Sequence, residues 1–182
     1  MIDLAAGLRR RPWRTVRLPE EMKRTLVNLV VWAADQDRDR LREAILGGAL
    51  FQRPMILYLP SVLPTYCAGL ALEVLGGEPV SPERADELFP TVHEIATAMP
   101  IGLDDATLGK WLRLLVGIDP PPSTAYYKRP ADFDLIGVCA PAAIAGAATV
   151  HAHWRPADLG RRYDALREIL EHSSRLNRSR AR

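Results

Sequence analysis

Cysteine is nearly absent from this 182-residue chain, which holds only Cys67 and Cys139, 72 positions apart. That spacing excludes a disulfide scaffold and a CxxC zinc site. Lysine is scarce too. Arginine supplies 21 of the 24 basic residues, and its planar fork grips phosphate or carboxylate in a way lysine does not. The chain has no GxGxxG fingerprint and no GxSxG elbow. Gly102 and Gly109-Lys110 mimic a P-loop, but six residues separate the glycines where a phosphate cradle has four. Trp111 also stands where Ser or Thr would hold magnesium. No cofactor is therefore implied.

Uninterrupted apolar runs are missing as well. The uncharged stretch 54–72 contains Pro54, Pro60 and Pro64, and 135–154 contains Pro141, His151 and His153. A spanning helix needs about 20 predominantly apolar residues with every backbone group satisfied internally. Buried core segments are expected here, and membrane insertion is not. The start of the chain puts its arginines after the short apolar patch Leu4–Leu8, and Arg10-Arg11 lacks the apolar stretch of a twin-arginine signal. The expectation is a cytoplasmic protein.

What is present is globular in composition, with 48% hydrophobic and 25% charged residues. The length corresponds to about one domain. A net charge of +2 conceals an uneven distribution. Arg9, Arg10, Arg11, Arg14 and Arg17 against Asp3 leave residues 1–17 at +4. Eight arginines against four acids leave 155–182 at +4, while 18–154 carries −6. Basic ends thus flank an acidic body. Such arms meet nucleic acid or an acidic partner surface, or simply remain solvated. Within the arm, Trp13 either stacks on a base or pins the segment to the body.

Apolar periodicity points to helices. Pro19 with Glu20 and Glu21 opens the clearest one, and Leu18, Met22, Leu26, Leu29 and Ala33 form its face. A charged stretch at 35–42 follows, and Leu41, Ile45 and Leu46 resume a helix that Gly47-Gly48 should stop. Thr65 reads as the N-cap of a short helix ending at Gly76-Gly77. Ser81-Pro82 opens another, which Pro90 should end or kink. Thr91-Val92-His93-Glu94 then fits a capping box. Asp104 or Asp105 caps a helix built on Leu108, Trp111, Leu112 and Leu115 and closed by Gly117. Asp119-Pro120-Pro121-Pro122 begins a linker candidate at 119–131. Pro156 starts the last helix, with Leu159, Tyr163, Leu166 and Leu170 on one face. Along it, Asp158–Arg162 and Glu171–Arg175 are spaced as i, i+4 ion pairs.

The fold expected is mainly α, a single domain of six to eight short helices interrupted by proline and glycine. Two segments stay ambiguous. Residues 55–59 and 133–139 read either as helix or as strands of a small sheet in an α/β alternative. The organisation expected is a basic arm at 1–17, a helical domain at 18–172 and a basic tail at 173–182.

Glu94-Ile95-Ala96 followed by Thr107-Leu108-Gly109-Lys110-Trp111-Leu112 resembles a helix-turn-helix over about 20 residues. The resemblance implies a DNA-binding regulator using 91–116. Lys110 and Arg113, with Arg9, Arg10, Arg11 and Arg14 of the arm, would then contact phosphate. Two departures oppose it: the turn at Pro100–Leu103 is too long, and Asp104 and Asp105 head the recognition helix, where they would face a polyanion. An ordinary helical hairpin with acidic caps is the competing account.

His151 and His153 are too few for zinc, with no Cys or carboxylate cluster beside them, and no metal site is assigned. Their place before Pro156 suits a helix C-terminus. Both cysteines lie in apolar runs, where burial quiets a thiol. Paired acids at helix starts are explained by the helix dipole, and no catalytic residue is assigned. The functional expectation is a non-enzymatic helical module engaging a protein partner, with a second copy of the chain also open as partner. DNA binding is the alternative. An enzyme with a pocket between the helices and the 126–139 segment is a third.

Overall fold

Twelve consecutive residues, Val138–Thr149, are buried, and the rest of the molecule is arranged around them. The computed structural model describes residues 20–47, 55–77, 80–119 and 135–179. These residues form seven helices and no strand: α1 (Glu20–Ala34), α2 (Arg38–Leu46), α3 (Met55–Val74), α4 (Pro82–Ala96), α5 (Asp105–Leu115), α6 (Ile136–His151) and α7 (Pro156–Ser179). The mainly α architecture expected from periodicity is therefore the one observed.

Helix α6 reads IGVCAPAAIAGAATVH and has no polar face. A helix apolar all round must be covered on every side. Here α1, α3, α4 and α5 pack against it. Its one buried hydroxyl, on Thr149, donates to the Ala145 carbonyl at 2.8 Å, so the side chain leaves no unpaired group in the core. Alanine and glycine in α6 let its neighbours come close. A methyl built on Gly146 would stand 2.9 Å from Ala33 Cβ and 3.0 Å from the Ala34 amide nitrogen. Around this axis α1 buries Met22, Leu26, Leu29, Val30 and Ala33. The chain bends by 120° between α6 and α7, and α7 lays Leu159 and Tyr163 onto the core. Among the described residues, no single helix is long and apolar enough to cross a membrane.

Several local expectations are corrected. There is no sheet: residues 55–59 open α3 and 136–139 open α6. Thr65 is not an N-cap, because α3 runs from Met55 straight through Pro60 and Pro64. Pro90 does not end its helix either. It sits inside α4, so the Thr91–Glu94 capping box is not formed, and Ser81 caps instead, accepting from the Arg84 amide. The reason is one of magnitude. An interior proline costs about 3 kcal/mol, whereas each large side chain buried contributes roughly 1.5–3 kcal/mol. Helix α3 fully buries Leu63, Leu70 and Cys67, with Tyr66 almost as deep, and α4 fully buries Leu88 and Val92. Asp158 pairs with Arg161 rather than Arg162 and also accepts from the Arg155 amide. The side chains of Leu170 and of the Glu171–Arg175 pair lie outside the described residues, as do the arm 1–17, most of the linker candidate, residues 133–134 and the end of the tail.

Four helices stop in the same manner. After α1, α3, α5 and α6 the chain enters a left-handed residue whose amide bonds back three residues, and the next amide bonds back five. Glycine fills that position after α3 and α5, at Gly76 (φ 91°) and Gly117 (φ 79°). Gln36 (φ 53°) and His153 (φ 54°) fill it after α1 and α6. A side chain there crowds the following carbonyl.

Two outcomes follow. Gly146→Val should lower the unfolding free energy by about 2–3 kcal/mol, since backbone and Ala33 must part to admit it. Gly69→Ala should change it by less than about 1 kcal/mol, because the new methyl meets the movable tip of Leu166 at 3.1 Å. Gln36→Gly and His153→Gly should each raise stability by about 0.5–1 kcal/mol. Urea denaturation of the four variants checks both.

Candidate functional site

Two regions of the described residues concentrate polar side chains. The first is the hairpin of α4 and α5, which carries the helix-turn-helix resemblance. Helix α4 ends at Ala96 and α5 begins at Asp105, leaving eight residues between them where a helix-turn-helix has three or four. The amides of Thr97, Ala98 and Met99 each bond back three residues, tightening the exit from α4. Ala98 and Met99 are buried, so the connection is itself part of the core.

Asp104 is the N-cap of α5. Its carboxylate accepts from the Thr107 amide at 2.7 Å and from the Thr107 hydroxyl at 3.1 Å. The Thr107 amide bond, foremost, holds its pKa below the usual carboxylate value. Asp105 lies 3.3 Å from His93 Nε2 and so links the start of α5 to α4. At the same end of the hairpin, Gln36 beyond the close of α1 donates to Glu94 at 3.2 Å.

The proposed phosphate contacts are not brought together. Lys110 is exposed on α5. Arg113 is engaged by Asp119 in a two-pronged pair, Nε and Nη2 each 3.1 Å from a carboxylate oxygen. Arg9, Arg10, Arg11 and Arg14 lie outside the described residues. Residues 80–119 carry seven carboxylates against Arg84, Lys110 and Arg113. Arg84 is itself 2.8 Å from Glu87. The hairpin is acidic.

The second region is the junction of α1, α3 and α7, which sequence reasoning did not single out. Tyr66 donates to the Leu159 carbonyl at 2.9 Å and meets Tyr163 edge-on, ring centres 5.9 Å apart. Arg162 reaches from α7 to α3, donating to the Gly69 carbonyl at 3.1 Å. Glu73 stands 2.9 Å from Arg162 Nε, near enough for an ion pair. It lies off the N–H direction, so that nitrogen makes no hydrogen bond. Lys23 of α1 bonds Asp164 at 2.8 Å, and this bond, foremost, raises the lysine pKa. The Tyr163 hydroxyl is buried with no hydrogen-bond partner among the described residues. Burial pushes its pKa from 10.0 up to about 12, with Glu20 and Asp164 adding to the rise and Arg167 opposing it. Burial likewise raises Tyr66 and the Cys67 thiol, which leaves that thiol unreactive at neutral pH. No signal in the sequence pairs position 66 with 163; each reads as one apolar position on its own helix.

His151 is exposed in the last turn of α6, and His153 holds the left-handed position after it. Among the described residues, no group of three His, Cys, Asp or Glu side chains is arranged to hold a metal ion. No family model, curated protein or solved structure matches the chain.

The tyrosine pair yields a prediction. Tyr66→Phe should cost about 1 kcal/mol by removing a buried hydrogen bond, whereas Tyr163→Phe should cost less, because among the described residues its hydroxyl has no hydrogen bond to lose. Between pH 10 and about 12 the unfolded Tyr163 phenol ionises while the folded one keeps its proton. The folded state then binds more protons, so stability falls as pH rises through that window. Denaturation from pH 9 to pH 12 should show a shallower fall in Tyr163→Phe than in the parent chain.

Proposed function

We propose that the chain is a non-enzymatic, intracellular helical interaction module that engages a protein partner through the acidic hairpin of α4 and α5. The observation that carries this reading is electrostatic. Seven carboxylates face three cations there, and two of those cations are already paired within the hairpin. Such a surface attracts a basic protein segment and repels a polyanion. Elsewhere in the described core, Tyr66 is spent on joining α3 to α7 through the Leu159 carbonyl, and Thr149 bonds back within α6 to Ala145. The arginines of residues 1–17 support the second reading, a DNA-binding regulator, since they supply the cations that the hairpin lacks.

The two readings separate in one experiment on the full chain. A photo-crosslinking residue placed at Glu87 in α4, with a control at Arg42 in α2, is activated in cell extract, and duplex DNA is titrated in parallel. The expected result is a discrete protein adduct from position 87 alone, abolished by about 300 mM salt, which screens exposed charges beyond a few ångströms. Equal labelling from both positions overturns the protein-partner reading. Salt-sensitive DNA binding that is lost in Lys110→Ala would establish the regulator instead.

A further inference from the structure

We draw no further inference here: the strongest candidate, the buried Tyr163 hydroxyl at the junction of α1, α3 and α7, has no partner among the described residues, but the chain before Glu20 and the side chains of residues 55–61 lie outside them, and nothing in the structure shows what that hydroxyl meets.

Discussion

The close approach of α6 to the helices around it is the constraint on which everything else rests. A helix half of whose side chains are methyl groups or hydrogens contributes little apolar area per residue, so its burial is favourable only if its neighbours come close to its backbone. Gly146 allows this where α1 crosses, with the Ala33 side chain and the Ala34 amide filling the space a methyl would take. The large residues of α1, α3 and α4 close around α6 in a single core. Met22, Leu26, Leu29, Leu63, Leu70 and Leu88 are all fully buried.

Charge is handled at the ends and edges of these helices. Asp37, Ser81 and Asp104 cap helix starts, each accepting an amide that would otherwise be unpaired. Lys23, Glu73, Arg162 and Asp164 tie α7 to α1 and α3 at a junction whose interior is two tyrosine rings. The acidic surplus of the body falls partly on α4 and α5, where it caps one helix and clasps it to the other through His93 and Asp105. These carboxylates therefore have structural duties. Their shared field is nevertheless of one sign and open to solvent, and it is this field that the proposed partner would meet.

Much of the fold was legible because its signals are local. The Leu108–Leu115 stripe, the Asp104 cap and the Gly117 stop describe α5 as it stands, and Gly76-Gly77 marks the end of α3. What misled were the prolines. Pro60, Pro64 and Pro90 read as breaks because an isolated helix would not bear them, and Pro90 made the Thr91–Glu94 box look like a new start. The candidate site was less legible than the fold. Asp104 and Asp105 announced an acidic hairpin, but the engagement of Arg113 by Asp119 and the meeting of Tyr66 with Tyr163 depend on how separate segments lie in space.

The amino-acid order alone determined that the chain is helical, where most of its helices stop, and that its charge is divided between basic ends and an acidic middle. Those properties come from dihedral preference, side-chain spacing and simple charge counting over a few neighbouring residues. Only the tertiary structure decided that α3 and α4 continue through their prolines, that α6 is enclosed on all sides, and that Arg162 and Tyr163 meet α3. Each of these is set by the free energy of burying surfaces distant in the chain, which no short window of sequence contains.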